Sequence, residues 1–243
     1  MRISFLRNGG RVWVNKADFD ESLIYSALES DIFRNWFSSI DPRFQLRSIE
    51  VQGMYFKGGN VTADSLLFFQ LLVDMADCPY LQVVILRSKS VTILPILHCN
   101  DEDYVVLVRQ PRIASGHYDL PELPAGMIEK GSQRSAAMQE LEQEVGLLGK
   151  VTLVNLTAIV GAPNGVFASP GIINEQVTYY LEEREVTVGE LASLQGKTTG
   201  ITGEGEKIRV QVVPLAKVWK NILDGKILIA LALYHYYKKT VPG

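Results

Sequence analysis

Apolar positions along this chain recur at two periods, and each predicts a different element. Between residues 22 and 37 they fall at Leu23, Ala27, Leu28, Ile32, Phe33, Trp36 and Phe37. That is a helical period, and Asp41-Pro42 ends it. Residues 46–56 and 66–73 are rich in β-formers and flank Lys57-Gly58-Gly59-Asn60, which reads as a turn. A helix and a hairpin are thus predicted before about residue 80. Beyond it the apolar runs are short and frequent, with strands predicted over 82–86, 91–97, 104–108, 151–160, 176–181 and 208–213. Asn100-Asp101-Glu102-Asp103 reads as a turn, and a helical C-terminus over 215–237 is interrupted at Asp224-Gly225. The change of pattern divides the chain into an accessory region, 1–80, and a larger domain, 81–243. No internal repeat or low-complexity tract breaks either one.

The most informative segment is a loop followed by a helix. Leu123-Pro124-Ala125-Gly126-Met127-Ile128-Glu129-Lys130-Gly131 precedes Ala136-Ala137-Met138-Gln139-Glu140-Leu141-Glu142-Gln143-Glu144-Val145-Gly146-Leu147. Glycines at 126 and 131 permit a tight loop and close backbone approach, and the run after them is helical by propensity until Gly146. Glu140 and Glu144 stand one turn apart and so share a face of that helix. Two carboxylates so placed repel unless a cation lies between them, and a hard divalent cation bridging to diphosphate oxygens would satisfy both. The competing reading is a solvated helix face carrying Glu140, Glu142 and Glu144.

This segment resembles the Nudix box, Gly-x5-Glu-x7-Arg-Glu-apolar-x-Glu-Glu-x-Gly-apolar. Gly126, Glu140, Leu141, Glu144, Gly146 and Leu147 hold their places. The family's arginine is Gln139, the first of its paired glutamates is Gln143, and Ser132 stands at the early glutamate. One residue is missing between Gly126 and Gln139. The resemblance extends to the segment 103–112, to Ser169-Pro170-Gly171 with Glu175, and to the acidic loop Gly203-Glu204-Gly205-Glu206 before Ile208. It covers roughly residues 50 to 240 and is closest to the ADP-ribose and ADP-sugar pyrophosphatases.

The resemblance implies an α/β/α sandwich with a mixed sheet, preceded by a small N-terminal α/β accessory region that pairs two subunits into a homodimer. It implies Mg²⁺- or Mn²⁺-dependent hydrolysis of a nucleoside diphosphate sugar to a nucleoside monophosphate and a sugar phosphate. Glu140 and Glu144 would hold metal, with Glu144 in the catalytic set. Glu206, with Glu204 as its alternative, would be a late metal ligand or the base acting on the attacking water. Gly126 would cradle phosphate and metal. Arg112, preceded by Arg109, would grip the diphosphate with a forked guanidinium, and Glu122 and Glu175 would orient water, metal or the terminal sugar. Gln143 offers only a neutral amide oxygen, so a weaker metal site is expected than in a chain with the full box.

Composition narrows this picture without redirecting it. At 243 residues, 47% hydrophobic and 21% charged, the chain can bury a full core. A formal net charge of −3 carries no footprint for nucleic acid or an anionic membrane. Cys78 and Cys99 lack metal-ligand spacing and read as buried free thiols in a reducing, intracellular compartment, with the cytoplasm favoured. The apolar run 227–234 is too short to span a bilayer. Arg2, Arg7, Arg11 and Lys16, with no acid among them, read as a basic surface strand, although they would also suit a short organellar presequence. His98, His117 and His235 form no ligand set by spacing. Two other functions stay open: a degenerate Nudix fold that binds nucleotide or protein without turnover, and hydrolysis of 5′-phosphorylated RNA ends.

Overall fold

The computed structural model describes residues 2–7, 10–15, 19–59, 61–128, 131–147, 151–200, 207–220 and 222–241. They form two compact units, one of residues 1–88 with 167–176 and the other of 89–166 with 177–243.

In the first unit five strands run in the order β1 (Arg2–Arg7), β2 (Gly10–Asn15), β3 (Leu46–Phe56), β4 (Leu66–Met75) and β5 (Gln82–Arg87). Two helices, α1 (Glu21–Glu29) and α2 (Asp31–Ser39), cover one face and share a core of Ile24, Ala27, Leu28 and Phe33 with Ile49, Phe69, Leu71 and Leu86. The single helix expected over 22–37 is therefore two. Ser30 divides them, donating to the Ala27 carbonyl at 2.6 Å and accepting from the Phe33 amide at 3.2 Å. One hydroxyl closes α1 and caps α2, a local contact that competes with helix continuation. The 167–176 segment lies along β5, with Ile85 donating to Ile172 O at 2.8 Å and Asn174 donating back to Ile85 O at 3.1 Å.

The second unit is built on a mixed sheet, nine strands among the described residues, whose spine is β6 (Ser90–Cys99), β7 (Glu102–Arg112), β12 (Gln176–Glu185) and β14 (Ile208–Pro214). β12 pairs parallel with β6, while β6 with β7 and β7 with β14 are antiparallel. Shorter strands flank them: β8 (His117–Glu122) on β7, β9 (Ala125–Met127) on β6, β10 (Leu153–Asn155) and β11 (Val166–Phe167) on β12, and β13 (Thr198–Thr199) on β14.

Both faces of the spine are apolar, which is why its strands read as nearly continuous hydrophobic runs. Val91, Ile93, Val106, Val108, Ile208 and Val210 pack against α3 (Gln133–Glu140) on one side, with Leu194 of α5 (Val188–Leu194) in the same cluster. Leu94, Ile96, Val105, Leu107, Tyr179 and Leu181 pack on the other against α6 (Gly225–Thr240) and Leu156 of α4 (Leu156–Ile159). Helices on both faces make this the expected α/β/α sandwich.

One predicted strand is corrected. Residues 151–160 are extended only over β10, and α4 follows at once because Asn155 turns its side chain onto the Ala158 amide at 3.0 Å. The C-terminal helix begins only at Gly225, with Asp224 as its N-cap, and Lys238 near its far end pairs with Glu183 of β12 at 2.7 Å. Among the described residues no helix is long and apolar enough to cross a membrane.

Candidate active site

The β7–β8 hairpin sets a buried charge within electrostatic reach of Glu144. β8 alternates inward and outward, so Leu120 and Glu122 both turn into the protein. Glu122 does so under Arg112, which donates through Nε and Nη2 to its two oxygens at 2.8 Å each. The Glu122 side chain is 4% exposed and that of Arg112 43%, so the guanidinium lies between a buried carboxylate and solvent. Those hydrogen bonds, above all else, hold the Arg112 guanidinium above its ordinary pKa, and the charges of Glu144 and Asp224 add to the effect. Arg112 thus stands among three carboxylates. Planar, bidentate pairing of this kind also fixes the direction in which its remaining donors point.

The loop-helix segment supplies the other carboxylates. Ser132 caps α3, accepting from the Ser135 amide at 3.1 Å while the Ser135 hydroxyl accepts from the Ser132 amide at 3.0 Å. The residue standing at the family's early glutamate therefore does a helix-capping task here. After Glu140 the helix widens into a π turn, Leu141–Val145, ended by Gly146 at φ 75°. Single π turns inside α-helices recur at functional sites because they re-aim side chains without ending the helix.

Glu144 is buried, and its Oε2 accepts from the Ala125 amide at 2.9 Å. The Glu140 carboxylate lies so close to Cα of Gly126 that a Cβ there would collide with it. Both carboxylates meet consecutive residues of β9, whereas Glu142 faces solvent. The solvated-face reading thus holds for Glu142 but not for Glu140 and Glu144.

The remaining expected site residues are distributed as follows. Arg109 is held within the sheet, donating to Gln211 Oε1 and Asp119 O at 2.9 Å each and pairing with the Asp119 carboxylate at 2.9 Å. Arg209 joins Asp119 at 2.7 Å, and the two guanidiniums, Arg109 first, hold the Asp119 carboxyl below its usual range. Glu175 belongs to the first unit and pairs with Arg87 at 3.6 Å. Glu204 and Glu206 lie outside the described residues. Gln139 is exposed and Gln143 half-buried.

Sequence reasoning missed three groups. Asp224, read only as a helix interruption, acts electrostatically on Arg112, and its Asp-Gly position before an apolar run was an N-cap signal. Thr199 and Gly200, in a short segment with no period to betray it, contact the backbone of the π turn.

Among the described residues no group of three or more His, Cys, Asp or Glu side chains is arranged to hold a metal ion. The donors of Glu140 and Glu144 are nevertheless hard oxygens set against a glycine with no side chain of its own, which suits a small divalent cation that keeps several waters.

Comparison with known proteins places this geometry in a family. A NUDIX domain model matches residues 87–230. Over 238 residues the chain is 31% identical to Nudix hydrolase 14, chloroplastic, of Arabidopsis thaliana, covering 91% of this chain and 74% of that protein. It is 35% identical over 135 residues to the ADP-ribose pyrophosphatase of Haemophilus influenzae, covering 52% of this chain and 55% of the relative. Against the ADP-ribose pyrophosphatase of Escherichia coli it is 34% identical over 149 residues, covering 58% and 62%. A crystal structure of an ADP compounds hydrolase superposes with a TM-score of 0.50 at 18% identity, over 80% of this chain and 96% of that one, a likeness of fold alone. Nudix hydrolases in general need divalent metal ions. With the domain model spanning more than half of its residues, the chain belongs to the Nudix family.

Proposed function

We propose that this Nudix enzyme hydrolyses the diphosphate bond of a nucleoside diphosphate sugar of the ADP-ribose or ADP-glucose type, with Mg²⁺ or Mn²⁺ bound. Water adds to one phosphorus, the anhydride P–O bond breaks, and the products are a nucleoside monophosphate and a sugar phosphate. The observation that carries the reading is the convergence of Glu140 and Glu144 on β9 beside Gly126. The pyrophosphatase relatives supply the substrate class.

Glu140 and Glu144 would hold the cation, and Glu206, or Glu204, would complete the set or take the proton of the attacking water. A bound cation lowers the pKa of that water and offsets charge building on the diphosphate. Arg112 faces the diphosphate from its seat on Glu122. Arg109 keeps β7, β8 and β14 in register beneath it. An intracellular setting suits the free cysteines Cys78 and Cys99.

The test is a hydrolysis screen over ADP-ribose, ADP-glucose, UDP-glucose and 5′-triphosphate RNA with each metal. Turnover of RNA alone would replace this reading, and turnover of none would favour a binding module.

Two further expectations follow. Gln143→Glu should tighten Mg²⁺ activation by about 10–100-fold, the scale on which groups supporting a metal usually act. Titrating activity with Mg²⁺ checks this, and an unchanged midpoint would mean that Gln143 does not face the metal. The chain should also be a homodimer through its first unit. There Tyr55 and Phe68, paired across β3 and β4, are 69% and 37% exposed on the sheet face away from α1 and α2, with Val83 of β5 on the same face. A monomer by light scattering at micromolar concentration would overturn that.

A further inference from the structure

The π turn that ends the α3 helix is capped by a strand more than fifty residues away. In the π turn the Gly146 amide returns to Leu141 O at 3.0 Å and Glu142 O at 3.1 Å, and the Leu147 amide returns to Leu141 O at 3.3 Å. The carbonyls of Gln143 and Glu144 then lie beyond the last intrahelical donor and need partners from elsewhere. Both receive one from the same short segment. The Gly200 amide donates to Gln143 O at 3.2 Å, and the Thr199 hydroxyl donates to Glu144 O at 2.5 Å. The Lys197 ammonium lies against Cα of Gly146, placing a cation at the negative end of the helix.

This segment is itself anchored. Thr198 and Thr199 pair with Arg209 and Ile208 of β14, and the Val210 amide donates to Lys197 O at 2.8 Å. Glu144 is consequently held at both of its ends. Its carboxylate is tied to β9 through Ala125, and its carbonyl is tied to β13 through Thr199. A carboxylate whose backbone and side chain are both fixed needs no reordering when a cation arrives, and groups that orient a ligand in this way are those whose loss weakens metal binding.

We infer that Thr199 is a positioning residue for the metal site: its hydroxyl fixes the Glu144 carbonyl, and so fixes the turn from which the Glu144 carboxylate is presented. The inference rests on the reading of Glu144 as a ligand.

The test compares Thr199→Val, which keeps the shape and loses the donor, with Thr199→Ser, which keeps the donor. Mn²⁺ binding to the substrate-free protein is measured by electron paramagnetic resonance. Beside it run melting curves in EDTA and a Mg²⁺ titration of kcat and KM with ADP-ribose. Thr199→Val should weaken Mn²⁺ binding and raise the Mg²⁺ requirement by about tenfold or more, with KM at saturating Mg²⁺ unchanged, and Thr199→Ser should stay within about twofold of the parent.

Parent-like Mn²⁺ binding by Thr199→Val would overturn the inference, as would an equal loss in Thr199→Ser. Should the valine variant fail to fold, Thr199→Ala is read against Thr199→Ser in the same way. Failure of the unsubstituted protein to bind Mn²⁺ would instead overturn the metal reading itself, so the two failures are distinct.

Discussion

Glu144→Gln is expected to lower kcat by more than about 10²-fold, beyond the effect usual for groups that merely support a ligand. Its melting temperature should hardly move. The side chain is buried, and the amide oxygen can still accept from the Ala125 N–H, so that donor is not orphaned. Neutralising it also relieves repulsion from Glu140, while some attraction to Arg112 is lost, and these opposing terms leave a net change under about 1 kcal/mol. Glu140→Gln should behave alike. Glu142→Gln, on the solvent side of the same helix, serves as the control and should be silent. Circular-dichroism melts beside Mg²⁺-dependent kinetics check all three. Turnover by Glu144→Gln within about tenfold of the parent would remove it from the site, because loss of a true metal ligand costs far more than that.

The fold was legible where pattern and packing agree. The spine strands β6, β7, β12 and β14 are buried on both faces, so their apolar runs stand out against Asn/Asp/Gly turns. Asn100, the one described non-glycine residue with a positive φ, 55°, sits in the turn expected there. Failures came where one side chain overrules a period. Ser30 divides a continuous helical pattern, and Asn155 converts β-rich residues into a helical turn. Neither can be seen from periodicity, because one polar atom decides each. Short strands such as β9 and β13 carry too few residues for any period at all.

The candidate site was legible as a set of residue types and much less as a set of contacts. Spacing alone put Glu140 and Glu144 on one face, and the structure turns both toward β9. What spacing could not show is that Glu122 and Arg112, ten residues apart, close on each other across a hairpin. Nor could it separate Arg112 from Arg109. Both lie on β7, but only Arg109 meets an Asp119 and a Gln211 brought in by neighbouring strands. Partners supplied by sheet register are invisible until the register is known.

Gly126→Ala should be the most selective lesion in the molecule, abolishing most activity while leaving the fold intact. Gly126 is not among the glycines at positive φ, so its backbone does not demand glycine, in contrast to Gly146 at φ 75°. What demands it is space: an added methyl would enter the position of the Glu140 carboxylate. That carboxylate is the far end of a flexible side chain, so the clash is relieved by the side chain swinging aside and not by a shift of backbone. Alanine also narrows the unfolded ensemble, which favours the folded state by about 0.4–1 kcal/mol where the conformation is compatible. The melting temperature should therefore hold or rise slightly. Activity should fall by about 10²-fold, since displacing a reacting or ligating group by about an ångström costs that much. The Mg²⁺ midpoint should rise with it, because Glu140 is the group displaced. Activity and Mg²⁺ dependence both within about threefold of the parent would show that Glu140 does its work elsewhere than beside Gly126, since so small a loss is below what misplacing a ligand produces.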